Sequence, residues 1–244
     1  MSCCIFAHPD QDSEFIQYIS DYLDMEVVNE IPLSGSFIDL RMNGLHFTKD
    51  STNLSSSLHV DFLSGSMGWR LKRTEHETSI KKAIGKNKED ITIFDGTAGL
   101  LSDTIIFLAL GHKVVACEQS KIIFLLVNNA IERAKPELPF LENLLFLNAK
   151  SETQYKETHN IDIVYLDPMY PEPSKNVLRS GDISTINHIL DIENIADDGD
   201  AVFFNIKNSN FKKIILKRPI KAEIIDKNLN YQVKGKSTRF DIYI

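Results

Sequence analysis

Ile161-Asp162-Ile163-Val164-Tyr165-Leu166-Asp167-Pro168-Met169-Tyr170-Pro171 is the stretch that decides the fold. The apolar, β-branched run 161–166 reads as a buried parallel strand. Pro168 has no N–H to give a ladder, so a central strand has to stop before it. Open α/β sheets bind their ligands at the carboxyl ends of the strands. Asp167 is then an acceptor at the rim of such a crevice, with the Pro168 carbonyl beside it and the Tyr170 ring three positions after Asp167. These groups suit a planar base whose amino group is to be aimed at a methyl donor.

Working upstream, strand and helix patterns alternate. Ile91–Phe94 reads as a strand, Ala98–Leu110 as an apolar helix closed by Gly111, and Val114–Cys117 as a second strand. Ser120 is placed to cap a helix running to about Ala134, and Leu144–Leu147 reads as a third strand. Alternation of this kind implies a parallel sheet flanked by helices. Downstream, Ala201–Asn208 is read as a helix and Ile214–Leu216 as a strand. Tyr231–Val233 and Phe240–Ile244 flank a Gly-containing turn and read as a hairpin. The expected fold is α/β: a doubly wound, mostly parallel, Rossmann-like sheet with a C-terminal antiparallel hairpin. Residues 1–60 read as a small α+β unit, with a helix over Asp12–Tyr22 and short strands at Ser34–Phe37, Leu40–Phe47 and Leu58–Phe62. Residues 61–244 form the main domain.

Phe94-Asp95-Gly96-Thr97-Ala98-Gly99-Leu100 occupies the first strand-to-helix turn. Glycines there let a ligand approach the backbone closely. Glu118 ends the second strand, 22 residues after Gly96, where an acid can accept both hydroxyls of a ribose. The full Gly-x-Gly-x-x-Gly fingerprint is broken, with Ala98 where a glycine is expected, which argues against a dinucleotide and for a donor without a pyrophosphate. At the other site, an exocyclic base amine is a poor nucleophile because its lone pair is delocalised. Acceptors at Asp167 and Pro168 would favour the pyramidal nitrogen, and Tyr170 would stack on the base.

The net charge of −7 hides a strong asymmetry. Residues 1–65 carry −8, 66–88 carry +5, 89–200 carry −11 and 201–244 carry +7. A polyanion responds to local field within a Debye length of roughly 8–10 Å, so two basic blocks favour phosphate contacts. Arg70, Lys72 and Arg73 from one block, and Lys217, Arg218, Lys236 and Arg239 from the other, are the expected RNA contacts on the face carrying Asp167. Trp69, beside them, suits either stacking on RNA or packing at a domain boundary. No apolar run approaches the roughly 20 residues of a membrane span. The three cysteines make no disulfide framework, no Cys/His cluster has metal-ligand spacing, and a cytoplasmic location without metal is expected.

Taken together, several strings resemble the ribosomal small subunit methyltransferase J family. They are Val60–Met67 with Arg70 and Lys72-Arg73, Asp95–Leu100 with Asp103, Glu118, Tyr165–Pro171, Lys217-Arg218-Pro219, Lys234-Gly235 and Arg239–Tyr243. The resemblance covers about residues 55–244. It implies a class I methyltransferase that uses S-adenosylmethionine to methylate the N2 amine of a guanine in 16S ribosomal RNA, with that RNA or the small ribosomal subunit as partner. It also implies donor contacts at Ser102, Asp103, Glu118, Gln119, Lys150, Ser151 and Asp167, next to the turn residues Asp95, Gly96, Thr97 and Gly99. Ser102 and Gln119 stand where arginine is expected, and Lys150 where a small hydroxyl residue is usual. Two other readings use the same turn: methylation of another amine, such as adenine N6 or a protein glutamine, and a non-catalytic RNA-binding module with the same fold.

Overall fold

The computed structural model describes residues 3–54, 57–85, 90–169, 181–196 and 199–244. Through the first 84 residues the elements are β1 (Cys3–Phe6), α1 (Ser13–Leu23), β2 (Val27–Val28), β3 (Ser36–Arg41), β4 (Gly44–Thr48), β5 (Ser57–His59), α2 (Gly65–Leu71) and α3 (Thr78–Ile84). Next come β6 (Thr92–Asp95), α4 (Thr104–Ala109), β7 (Lys113–Glu118), α5 (Lys121–Ala134), β8 (Leu144–Asn148), α6 (Ser151–Glu157) and β9 (Ile163–Leu166). The chain ends with α7 (Gly181–Ile192), α8 (Gly199–Lys207), β10 (Ile214–Pro219), β11 (Tyr231–Lys234) and β12 (Thr238–Tyr243). So far as they are described, residues 1–62, 120–136 and 172–196 cluster into one unit, and 63–119, 137–171 and 197–244 into a second.

The first unit holds a five-stranded sheet in the order β2-β1-β3-β4-β5. Asn43-Gly44 makes the β3–β4 turn, with Gly44 at φ 121°, a conformation that favours glycine. Asp12 caps α1 by accepting the Glu14 and Phe15 N–H groups at 2.9 and 3.4 Å. Side chains far apart in sequence tie α5 to this unit. Asn129 Oδ1 accepts the Leu45 N–H at 3.0 Å, and Arg133 donates to the Val60 carbonyl at 2.5 Å. Ser120 caps α5 through the Ile123 N–H at 3.0 Å, while Glu193 accepts the Lys121 N–H at 2.8 Å.

The second unit holds a seven-stranded sheet in the order β11-β12-β10-β9-β6-β7-β8. The pairs among β10, β9, β6, β7 and β8 are parallel, and the β12 pairings with β10 and β11 are antiparallel. This is the Rossmann-like architecture expected. Succession proceeds outward from β6 in both directions, so β6 and β9 bound the topological switch point. One core layer gathers Phe94, Val164, Leu166, Ile214 and Leu216 from the sheet under Phe203 and Ile206 of α8 and Tyr155 of α6. Removing these side chains from water supplies the main driving force for closing the sheet. Lys213 closes α3, donating its ammonium protons to the carbonyls of Ala83 and Ile84 at 2.5 and 2.8 Å.

Residues 201–207 are helical within α8 and Ile214–Leu216 lie in β10, as the sequence suggests. The helix expected over Ala98–Leu110 is shorter: α4 spans only Thr104–Ala109, with Gly111 after it at φ 90°. The reason lies in the backbone angles of the turn. Ala98 N–H goes to the Cys117 carbonyl at 3.1 Å and Gly99 N–H to Glu118 Oε2 at 3.0 Å, which holds the turn against β7. Gly99 and Leu101 both take left-handed conformations, φ 50° and 60°. That region is strained for leucine, but full burial of its side chain holds it there.

Candidate active site

The site is built at the carboxyl ends of β6 and β9. Asp95 ends β6, pairs with Tyr165 in register and is buried. Its carboxylate accepts the Thr97 N–H at 3.1 Å and a hydrogen bond from the Thr104 hydroxyl. Burial pushes this carboxyl up to about 7, against those two hydrogen bonds, and Asp103 and Asp167 add to the rise. Gly96 follows. Its N–H goes to the Tyr165 carbonyl at 3.1 Å, and its carbonyl accepts from the buried Ser151 hydroxyl. A Cβ here would lie 2.9 Å from Leu166 Cδ2 and 3.3 Å from the Phe94 ring, so the turn admits only glycine without repacking.

Asp167 leaves β9 with its N–H donated to Thr97 Oγ1 at 2.6 Å. Its half-buried carboxylate meets Lys217 Nζ at 2.7 Å, and the same ammonium reaches Asp103 Oδ2 at 2.7 Å. Asp103 also receives Arg70 Nη2 at 2.7 Å and the Tyr165 hydroxyl. Arg70 is braced in turn by Glu77 at 2.5 Å and by the Ser102 carbonyl at 2.8 Å. Burial disfavours the Asp103 anion, but Lys217 and Arg70 outweigh it and hold the carboxyl down at about 2. Burial likewise pushes the Asp167 carboxyl up, and Lys217 is the main opposing influence. Lys217 itself is raised above its usual range by the two carboxylates, against burial.

Thus hydrogen bonds link Asp95 to Thr97 and Thr97 to Asp167, Lys217 joins Asp167 to Asp103, Ser151 holds the Gly96 carbonyl, and Glu118 holds the Gly99 N–H. The Ser102 and Gln119 side chains are exposed, and their carbonyls accept from Arg70 and Asn148. Lys150 is exposed at the start of α6. Pro168 is buried, and the bare Cα of Gly199 packs against its ring. Tyr170 lies outside the described residues.

The basic set does not behave as one surface. Lys72, Arg73 and Lys236 are exposed. Arg70 and Lys217 serve the carboxylate cluster. Arg239 is a correction to the expected RNA contacts: it is 3% exposed and forks onto Asp241 at 2.9 and 3.1 Å. Its remaining donors meet the carbonyls of Pro219, Ile220, Ala222 and Glu223. Arg218 is corrected likewise, being buried and paired with Asp200 at 3.0 Å. These two arginines face each other across β10 and β12, a like-charge pair offset by buried Asp241 and exposed Asp200. Tyr165, Thr104 and Glu77 complete the cluster, and no sequence pattern singles them out as its members. For Lys217 the signal is its position one residue beyond the β10–β9 pair Leu216–Leu166.

The residues present fit S-adenosylmethionine by their chemistry. There is an acid at the end of β7 for a ribose diol, side-chain-free positions at Gly96 and Gly99, and carboxylates at the ends of β6 and β9 for a cationic sulfonium. Among the described residues, no helix is long and apolar enough to cross a membrane, and no cluster of three or more His, Cys, Asp or Glu residues could hold a metal ion.

A family model described as "Putative SAM-dependent methyltransferase" matches residues 25–244. The ribosomal RNA small subunit methyltransferase J of Francisella philomiragia is 30% identical over 95% of this chain and 98% of its own length. That of Desulfotalea psychrophila is 30% identical over 77% of this chain and 73% of its own. A SAM-dependent methyltransferase from Neisseria gonorrhoeae, solved by crystallography, superposes with a TM-score of 0.73 at 25% identity, covering 100% of this chain and 96% of that one. On these matches the chain belongs to the SAM-dependent methyltransferase family that includes the ribosomal RNA small subunit methyltransferases J.

Proposed function

We propose that this enzyme methylates the exocyclic N2 amine of a guanine in small-subunit (16S) ribosomal RNA. The observation that carries the reading is Asp167. It sits at the carboxyl end of β9, its N–H is fixed by Thr97 at 2.6 Å, and its carboxylate is bridged to Asp103 by Lys217. A rigid anionic acceptor beside the Pro168 carbonyl is what an amine needs to be presented lone pair first. The relatives' names supply the class of RNA.

Bound S-adenosylmethionine supplies an electrophilic methyl group on a sulfonium. Glu118 would hold the ribose hydroxyls, and the 95–103 turn would line the methionine end together with Ser151. Asp167 and Pro168 would accept the two N–H bonds of the guanine amine, and Tyr170 would stack on the base. Their hydrogen bonds strengthen as the nitrogen becomes tetrahedral, so they stabilise the transition state more than the ground state. Lys217 opposes the rise that burial imposes on the Asp167 carboxyl and holds it in an ion pair, a role in orientation and electrostatics.

The test is methyl transfer from labelled S-adenosylmethionine to small-subunit particles or 16S RNA lacking the modification, followed by nucleoside analysis. Label in N2-methylguanosine is expected. Label in N6-methyladenosine or in protein would replace this reading with one of its rivals.

A further inference from the structure

Trp69 is the chain's one tryptophan, and it is 64% exposed. It lies on α2, whose first turn folds close over the chain entering it: a Cβ on Gly68 would lie 2.4 Å from the carbonyl oxygen of Leu63, the residue before the Ser64 cap. Arg70, the next residue, reaches inward to Ser102 and Asp103. Trp69, about 100° round the helix, is left facing outward. Arg73 is exposed and lays its guanidinium over the indole, 4.8 Å from the ring centroid. Lys72 is exposed beside it, and residues 66–88 carry +5 within an acidic chain.

A lone exposed indole needs no explanation. An indole stacked with a guanidinium in a basic segment, one arginine side chain away from Asp103, is a different matter. Flat rings bind bases of any sequence face to face, and a neighbouring arginine adds both cation–π attraction and a phosphate contact. We propose that Trp69 and Arg73 form a stacking platform for an unpaired RNA base near the target nucleotide. The inference rests on the RNA reading above. Its occupant is single-stranded RNA, chosen by the positive local charge; a protein partner is the competing outcome.

Because Trp69 is the sole tryptophan, its emission reports this surface alone. The probe is a short single-stranded RNA oligonucleotide titrated into the full-length protein at low salt. Emission should be quenched on binding. Trp69→Ala should weaken RNA affinity about five- to a hundredfold, Trp69→Phe should recover most of it, and Arg73→Ser should weaken it less than Trp69→Ala. S-adenosylhomocysteine affinity and the melting temperature should hold in all three, which separates loss of stacking from loss of fold. Emission unmoved by RNA, or unchanged affinity in Trp69→Ala, overturns the platform. So does emission that responds to small-subunit proteins and not to RNA. The methylation assay is independent: guanine methylation with an unchanged KM in Trp69→Ala would leave the functional reading standing and remove the platform. Quenching without guanine methylation would do the reverse.

Discussion

Lys217 Nζ lies 2.7 Å from Asp167 Oδ2, and the two residues follow Leu216 and Leu166, which are paired in register on parallel strands β10 and β9. The ion pair is therefore a product of strand register. It is also the main influence opposing the rise that burial imposes on the Asp167 carboxyl. Asp95, Asp103, Tyr165 and Arg70 are the other titratable groups acting on the cluster. Lys217→Met should let the Asp167 carboxyl rise further, because burial would then act without its main opposing charge. The ionised carboxylate is the proposed acceptor, so the acid limb of the kcat profile should move to higher pH, with S-adenosylhomocysteine affinity nearly unchanged. Lys217→Arg should keep most of the wild-type profile. A pH profile for Lys217→Met that overlays wild type would show that Lys217 has no part in setting this acceptor.

Asp95 gives a pH signature of opposite sign to ordinary salt-bridged carboxylates. Its folded value of about 7 lies above the ordinary aspartate value of 3.8. The unfolded chain releases this proton first, so stability from this group is greatest below about pH 4 and is lost as pH rises toward 7. Asp103 works the other way. Held at about 2, it contributes stability above 3.8 that is lost as pH falls through 2. Asp95→Asn should consequently gain stability over wild type as pH rises from about 4 to about 7 in urea unfolding. A constant difference across that range would contradict the assignment.

How much of this is legible in the sequence follows physical lines. Periodicity and proline place β9 and its terminal Asp167, because the constraint is local: an apolar run and a missing N–H. The hairpin, Gly111 and the Ser120 cap are local in the same way. Periodicity misplaces the helix start at residue 98 because Gly99 and Leu101 take left-handed angles that a right-handed helix cannot include, in a turn held by Glu118, 19 residues after Gly99. No local pattern encodes that. Charge counting finds the basic blocks but not their direction. Alternation along β10 sends Lys217 to the carboxylates and Arg218 to Asp200, while Arg239 folds onto Asp241 two residues away on its own strand. The attachment of α5 to the first unit rests on Asn129 and Arg133, polar residues that carry no helical signature of a partner.

Glu118 offers the most direct handle on the methyl donor. Its carboxylate anchors the Gly99 N–H at 3.0 Å and is the proposed acceptor for the ribose. Glu118→Ala removes a charge-assisted acceptor worth about 1.5–3 kcal/mol. S-adenosylhomocysteine affinity measured by calorimetry should fall about ten- to a hundredfold. An unchanged dissociation constant would move the ribose elsewhere.

The basic residues should separate into two groups. Neutralising Lys72, Arg73 and Lys236, all exposed, should weaken RNA binding and flatten its salt slope by about 0.7–0.9 for each phosphate that is no longer neutralised. Arg239→Met should instead destabilise the fold, by about 3–5 kcal/mol, because Asp241 is left buried without its partner. Filter binding over a salt series and urea unfolding for each variant distinguish the groups. A folded Arg239→Met protein that loses only RNA affinity would restore Arg239 to the binding surface.

Guanine-N2 methylation positioned by Asp167 is decided by nucleoside mass analysis of small-subunit ribosomal RNA from a strain lacking this chain, complemented with wild type, Asp167→Asn or Asp167→Ala. One N2-methylguanosine should be absent in the deletion strain and return with wild type. It should return partly with Asp167→Asn, whose amide oxygen still accepts an N–H bond, and least with Asp167→Ala. An N2-methylguanosine content unchanged by the deletion would rule out the guanine assignment, and full restoration by Asp167→Ala would rule out the role given to Asp167.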